Sequence, residues 1–364
     1  EIFHLRNGYT PSKGVKEYWE NGSIPWFRME DIRENGRVLN TALQKVSESA
    51  VKGGKLFPAN SIIIATSATI GEHALITIPF LANQRFTVLS LKPEYIDKFN
   101  IYFLYHYCFT LDDWCQKNTT MSSFASVDMN GFRKFLIPIP PLPVQTEIVK
   151  ILDALTALTS ELTSELTSEL TLRQKQYEYY REKLLSFDSL EQLNMGGAKK
   201  KLIDVAKIKN GKDWKHLGEG DIPIYGSGGI MGYVDTYSYD KPTVLIPRKG
   251  TITNIFYLEE PFWNVDTIYY TEIDTTQILP KYFYHFMKTV DLTKLDTGSG
   301  RPSLTQAILN EIPIFVPSIK EQQRIVSILD KFETLTNSIT EGLPLAIEQS
   351  QKRYEYYREL LLNF

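Results

Sequence analysis

The stretch from Pro143 to Phe187 occurs twice in this chain, and any fold has to place both copies. Gln145-Thr-Glu-Ile-Val-Lys-Ile-Leu-Asp153 returns as Gln322-Gln-Arg-Ile-Val-Ser-Ile-Leu-Asp330. Gln176-Tyr-Glu-Tyr-Tyr-Arg-Glu-Lys-Leu-Leu-Ser-Phe187 returns as Arg353-Tyr-Glu-Tyr-Tyr-Arg-Glu-Leu-Leu-Leu-Asn-Phe364. Both matches have the same offset, because 322 − 145 and 353 − 176 each equal 177. Between the matched ends, Leu155, Leu158, Leu162, Leu166 and Leu170 map onto Phe332, Leu335, Ile339, Leu343 and Ile347, so the apolar positions survive where identity does not. Steps of mostly three and four residues put these side chains on one helical face.

Each copy therefore predicts an amphipathic helix which, at 1.5 Å per residue, would run roughly 65 Å. A stripe that long needs a partner, and the other copy has the same length. The predicted fold class is α+β: two similar globular domains separated by two long helices forming an antiparallel coiled coil. The boundaries this implies are residues 1–142, a first helix and linker at 143–198, residues 199–315, and a second helix at 316–364. The ten positions named above form the expected seam. Thr159-Ser-Glu-Leu162 is repeated at 163–166 and 167–170. Its period of four exceeds 3.6, so the leucines drift by about 40° per unit and each unit adds about 6 Å. The second copy has no such tandem, and its Gly342-Leu-Pro344 predicts a kink.

The rest of the chain is also duplicated, more loosely. Ile24-Pro-Trp-Phe27 is echoed by Ile222-Pro-Ile-Tyr225, Ala68-Thr-Ile-Gly71 by Lys249-Gly-Thr-Ile252, and the aromatic run Tyr102 to Tyr107 by Tyr282 to Phe286. Ile24 to Arg28 and Ser61 to Ala65 read as strands, the latter buried, and Phe99 to Phe109 as a core helix. Asn118 to Ser126 reads as a polar loop, with Thr297 to Ser303 in its place in the second half. Asn7-Gly8 resembles Asn210-Gly211, yet the counterparts of Leu202 to Ala206 would fall at or before Glu1, so a few residues ahead of Glu1 are expected.

Little in the sequence points to catalysis. Gly226-Ser-Gly-Gly-Ile-Met-Gly232 fails the dinucleotide pattern, whose third glycine would fall at Met231, and reads as a tight turn. Gly54-Lys55 and Gly211-Lys212 lack the remainder of a phosphate-binding loop, and no Asn-Pro-Pro-aromatic or Asp-Pro-Pro-aromatic run occurs. The five histidines show no metal-ligand spacing, so His106 and His285 read as core residues of equivalent helices. No apolar run approaches membrane-spanning length. No charged-then-apolar leader is present, and Cys108 and Cys115 suit a reduced cytoplasm.

Net charge is −3, and the acid lies in the helical stretches. Residues 1–142 carry 15 Lys and Arg against 13 Asp and Glu, and residues 199–315 carry 14 against 14. Any phosphate-binding surface is therefore a local patch. Polar loops on two similar globules suit base-edge and phosphate contacts. The candidates are Thr10, Ser12, Lys13, Arg28, Thr66, Ser67, Arg85, Asn118, Ser122 and Ser123 in the first globule. In the second they are Tyr225, Ser227, Arg248, Lys249, Asn254, Arg301 and Ser303.

Gly8-x-Thr-Pro-Ser12, Tyr18-Trp19, Gly22-x-Ile-Pro-Trp-Phe-Arg-Met-x-Asp-Ile32, Ile222-Pro-Ile-Tyr-Gly-Ser-Gly-Gly229 and both Gln-x-x-Ile-Val-x-Ile-Leu-Asp helices closely resemble the DNA-specificity subunit of type I restriction–modification systems. The resemblance covers essentially the whole chain. It implies that each globule reads one half of a bipartite duplex DNA target, that the helices set the spacer, and that they dock two methyltransferase subunits. S-adenosylmethionine, ATP and magnesium would then belong to the methyltransferase and translocase–nuclease subunits, with no cofactor, metal or catalysis in this chain. The tandem looks like the device by which such helices vary the spacer. The second globule departs from the pattern in lacking the Thr-Pro-Ser and Tyr-Trp opening. The competing expectations are a coiled-coil adaptor that binds only proteins and a self-sufficient DNA-modifying enzyme.

Overall fold

The computed structural model describes residues 1–364 except 121–124, 193–196, Ser299, Ile339 and Phe364. Candidates Ser122 and Ser123 and the seam position Ile339 thus lie outside the described residues. The chain divides into two compact units that do not follow its linear order. Unit 1 is Glu1–Thr163 with Ser350–Phe364, and unit 2 is Ser164–Gln349.

Unit 1 is built on a five-stranded sheet. Its order is β1 (Phe3–Asn7), β6 (Phe86–Leu91), β3 (Ser61–Ala65), β4 (His73–Ile76) and the short strand Val38–Leu39. Every residue of Ser61–Ala65 is buried, as its run of three isoleucines requires of a strand covered on both faces. A smaller sheet pairs β2 (Ile24–Phe27) in parallel with β5 (Leu81–Ala82). The helix α1 (Ile101–Lys117) covers the large sheet through Phe103, Leu104, Cys108 and Leu111.

Unit 2 repeats this plan. Its sheet runs β7 (Ala206–Lys209), β12 (Ile268–Ile273), β10 (Thr243–Pro247) and Phe256–Leu258, the same order as the first four strands of unit 1. Its smaller sheet pairs β8 (Ile222–Gly226) with β9 (Gly229–Val234) and, in parallel, with β11 (Trp263–Asn264). The equivalence holds at the level of single bonds. Asn83 N donates to Phe27 O and Val265 N to Tyr225 O, both at 3.0 Å. A Cβ on Gly8 would fall 2.2 Å from the Asn83 carbonyl oxygen, and one on Gly211 would fall 2.0 Å from that of Val265. Only glycine lets the chain pass so close to the neighbouring backbone.

This register corrects one alignment made on sequence. Thr66 N donates to Arg85 O as Arg248 N donates to Thr267 O, so Lys249 corresponds to Ser67 and Gly250 to Ala68, one residue earlier than expected. The backbone agrees, since Ala68 has φ +67° and Gly250 φ +83°.

The first repeated stretch forms one helix, α2 (Leu142–Leu185). The second is broken into α4 (Ile319–Asn337) and α5 (Leu343–Leu362), with Gly342 at φ +98° in the gap. In unit 2 the end of α2 packs on α4, where Tyr177 and Tyr180 stack on Phe332 at ring distances of 6.5 and 5.6 Å. In unit 1 the beginning of α2 meets the end of α5, and Thr156 Oγ1 donates to the Tyr354 hydroxyl at 3.0 Å. Partner numbers fall as α2 numbers rise, which is the order of an antiparallel arrangement. Each unit therefore holds the start of the helix that leaves its own globule and the end of the other copy.

The seam is less continuous than the periodicity suggests. Leu152 and its counterpart Leu329 are fully buried, but Leu158 is 62% and Leu162 42% exposed. Leu155, Leu166, Leu170, Leu335, Leu343 and Ile347 are half-buried. A repeat of four turns the leucine stripe by about 40° at each unit, so one face cannot keep every leucine covered.

Each α2-type helix is pinned to its globule by a histidine. In unit 1, His106 on α1 donates through Nε2 to Asp153 Oδ1 at 2.9 Å. In unit 2, His285 on α3 (Pro280–Met287) makes the same 2.9 Å bond to Asp330. Burial lowers both histidine pKa values below the ordinary range.

Candidate nucleic-acid interface

The Gly8 to Ser12 loop of unit 1 is held by two indoles. Trp26 Nε1 donates to Tyr9 O and Trp19 Nε1 to Ser12 O, each at 3.0 Å, and the two rings meet edge to face at 5.1 Å. Beside them the chain turns into a short helix at Met29–Asn35, started by the buried Asp31, which accepts from Arg28 N at 2.7 Å and from Leu43 N at 2.6 Å. These two loops and the turn Asn83–Arg85 enclose a cleft of about 680 Å³.

Four sequence-predicted residues, Thr10, Lys13, Arg28 and Arg85, line that cleft together. Lys16, Gln44, Thr69, Asn83 and Gln84 line it too and were missed, because nothing in their local sequence marks them. Lysines 13 and 16 and arginines 28 and 85 outnumber Glu20 and Glu30, so the wall is locally cationic on a neutral globule. Arg28 lies 5.6 Å over the Trp26 ring and 3.9 Å from Glu30, and its buried Nε makes no hydrogen bond. Thr10 donates to Gln84 Oε1. An aromatic floor with cations and amide groups suits a nucleotide's flat bases, polar base edges and phosphates.

Thr66 and Ser67 lie on the adjoining turn, Thr66 Oγ1 being 3.1 Å from Thr87 Oγ1 and Ser67 bridging to Ser126. Ser12 is exposed beyond the rim. Asn118 caps α1, donating to Trp114 O at 2.8 Å, and so has a structural task. In the polar loop Thr119–Thr120 pairs antiparallel with Ser126–Val127.

In unit 2 the equivalent loops also converge. Asn254 Nδ2 donates to Ser227 O at 3.0 Å, Lys249 bridges to Ser303, and Gly250 N donates to Pro302 O at 3.2 Å. Arg248 lies 5.9 Å over the Tyr269 ring and donates to Asp266 O, while Lys249 Nζ is 3.9 Å from the Asp266 carboxylate. Arg301 is exposed on the same loop. Tyr225 instead packs on Phe256 and Phe262 and has its phenol pKa raised by burial.

One acidic convergence was not visible from sequence spacing: His285, Asp330 and Glu333 bring ligand-type atoms within 4.8 Å of one another. Protein donors already use them, with Lys281 Nζ on Asp330 and the Tyr284 hydroxyl on Glu333, each at 2.9 Å. Among the described residues, no helix is long and apolar enough to cross a membrane.

Two look-alike α+β units carrying polar, cationic loops and joined through repeated helices define a DNA-reading class of protein. The comparisons make the class specific. The family model for the type I restriction modification DNA specificity domain matches residues 1–172 and 196–349. The type I restriction enzyme EcoprrI specificity subunit of Escherichia coli is 52% identical over 359 residues, covering 94% of this chain and 88% of that one. A putative type I restriction enzyme specificity subunit of Haemophilus influenzae is 47% identical, covering 96% and 98%. Among solved structures, the HsdS subunit from Thermoanaerobacter tengcongensis superimposes with a TM-score of 0.52 at 18% identity, over 85% of this chain and 81% of that one. A chain from a structure of type I restriction–modification complex assembly reaches 0.63 at 17% identity, over 85% and 82%. The chain belongs to the family of type I DNA specificity subunits, whose members recognise DNA and leave catalysis to other subunits.

Proposed function

We propose that unit 1 and unit 2 each read one half of a two-part duplex DNA target and that α2, with α4 and α5, sets the number of unread base pairs. The observation that carries this reading is the unit 1 cleft, where Thr10, Lys13, Arg28 and Arg85, up to 75 positions apart (85 − 10), line one cationic, tryptophan-floored surface. The matching loops around Ser227, Arg248 and Ser303 support a second reader of the same design. Two methyltransferase subunits dock on the helices and supply S-adenosylmethionine and adenine methylation, with an ATP- and magnesium-dependent translocase–nuclease subunit joining them. The assembly works in the cytoplasm.

Deleting Thr167 to Leu170 tests the spacer role. Mapping methylated adenines in cells carrying the deletion should show both half-sites retained and the spacer shorter by one or two base pairs, from about 6 Å per unit and 3.4 Å per base pair. A changed half-site with an unchanged spacer would overturn it. A gel shift with the methyltransferase partner tests DNA reading itself, and failure to bind any duplex would return the chain to a protein-only adaptor.

A further inference from the structure

Gly226-Ser-Gly-Gly-Ile-Met-Gly232 does more in unit 2 than close a turn. It joins β8 to β9, with Ser227 and Gly228 at the tip and Gly229 just beyond it at φ +111°. Ser227 is tied down twice, its N–H donating to Thr267 Oγ1 at 3.3 Å and its carbonyl accepting from Asn254 Nδ2 at 3.0 Å. A Cβ on Gly250 would fall 3.1 Å from its Oγ. The tip therefore stands beside the loop of Arg248, Lys249 and Asn254, at the candidate interface.

The side chains just past the tip are apolar and uncovered. Ile230 is 53%, Met231 57% and Tyr233 56% exposed, and Tyr225 to Val234 contains no charged residue. Ile224 pairs with Gly232 but Tyr225 with Ile230, so Met231 is the extra residue of a β-bulge. A bulge re-aims the side chains around it. Met231 rests on Gly226, where a Cβ would fall 2.5 Å from its Sδ.

Ile24 pairs with Val46 as Ile222 pairs with Val234, so Gly226 stands where unit 1 has Arg28. From that position unit 1 continues into the helix Met29–Asn35 instead of a hairpin. The two readers thus present different chemistry at one place in the fold: cations and amides in unit 1, bare hydrocarbon and a thioether in unit 2. Among the four bases thymine alone presents a methyl group, and it does so in the major groove, which at about 12 Å wide admits a two-stranded β-ribbon.

We propose that the β8–β9 hairpin enters the major groove and that Ile230 and Met231 read the 5-methyl group of a thymine in the half-site of unit 2. This rests on unit 2 being a DNA reader, and it names the chemistry by which that reader selects a base.

The test uses duplexes carrying the target found by methylated-site mapping, with each thymine replaced in turn by deoxyuridine, which lacks only the methyl group. Binding is measured with the complex of this chain and its methyltransferase partner. At a thymine of one half-site the replacement should weaken binding about threefold to tenfold, the effect of removing one buried methyl contact or slightly more. Ile230→Ala/Met231→Ala should bind the thymine and deoxyuridine duplexes alike. Equal affinity of the unaltered complex for thymine and deoxyuridine at every position would overturn the proposal while leaving DNA reading intact. So would a loss of the same size in the double variant, since the methyl contact would then lie elsewhere. Failure of the complex to bind the thymine duplex would remove both the proposal and the reading beneath it.

Discussion

Gln145 and Gln322 stand 177 residues apart and make the same three hydrogen bonds. Gln145 Oε1 accepts from Asn100 N at 2.9 Å, and its Nε2 donates to Lys98 O at 3.0 Å and Pro140 O at 2.8 Å. Gln322 Oε1 accepts from Leu279 N at 2.8 Å, and its Nε2 donates to Gln277 O at 3.0 Å and Pro317 O at 2.8 Å. Both side chains are fully buried. Each one ties the first turn of a long helix to the loop before its globule's aromatic helix. Replacing either by leucine leaves three backbone groups without partners, so Gln322→Leu should cost about 2–4 kcal/mol. Chemical denaturation of the two variants should show similar losses.

The pairing of the helices gives a contrast between two leucines. Leu152 is fully buried, so Leu152→Asp puts a charge in an apolar site and should destabilise by about 3 kcal/mol or more. Leu158 is 62% exposed, and Leu158→Asp should change stability by less than about 1 kcal/mol. Equal losses in melting experiments would show that the stripe is sealed along its whole length.

Ala68 holds a positive φ where its counterpart is Gly250, next to the candidate interface. Left-handed backbone costs a residue bearing a Cβ about 1 kcal/mol. Ala68→Gly should therefore stabilise unit 1 by up to about 1 kcal/mol. Gly250→Ala should destabilise unit 2 by at least that amount, because the new Cβ would also fall 3.1 Å from Ser227 Oγ. Opposite shifts in Tm would confirm the register of the two loops.

The buried histidines make stability depend on pH. Burial depresses the pKa of His285, overcoming the bond to Asp330 and the nearby Glu333, while Lys281 acts in the same direction as burial. Above the unfolded value of about 6.5 both states are neutral and the contribution is complete. As pH falls below that, the unfolded chain takes up a proton first, and stability declines until the folded pKa is reached. His106 behaves alike. Midpoints of denaturation at pH 8 and pH 5.5 should differ less in His285→Gln than in wild type, and an unchanged difference would refute this.

Cations on the cleft wall should act as DNA contacts of different kinds. Lys13→Ala should weaken duplex binding by the complex across all sequences and lower the salt slope by about one. Arg28→Ala should relax recognition at one half-site and spare the other, a result that methylated-site mapping reads directly. Loss of both half-sites in Arg28→Ala would contradict separate reading by the two units.

Much of this organisation could be read from the chain because it is written twice. The shared offset of 177 exposed the helices, Gly342-Leu-Pro344 marked the break between α4 and α5, and the isoleucines of Ser61–Ala65 announced a covered strand. Periodicity says which face is apolar but not what it meets. The burial of Tyr177 on His285 and Phe332, and of Leu362 in unit 1, therefore escaped prediction. The cleft was half legible: charged loop residues such as Arg28 and Arg85 stood out, whereas Lys16 and Gln84 join them only through the turns set by Trp19, Trp26 and Asn83. The register at Lys249 was also present in the sequence, since Thr251-Ile252 repeats Thr69-Ile70 and so sets Gly250 opposite Ala68.

The interleaving of the compact units also constrains synthesis. Unit 1 takes in Ser350–Phe364, with Leu362 in its core and Arg358 lying 4.1 Å over the Phe109 ring. The globule that leaves the ribosome first therefore waits for the stretch from Ser350 to Leu362 to be translated before its own core can close. A nonsense mutation just ahead of Ser350 would injure the oldest part of the nascent chain.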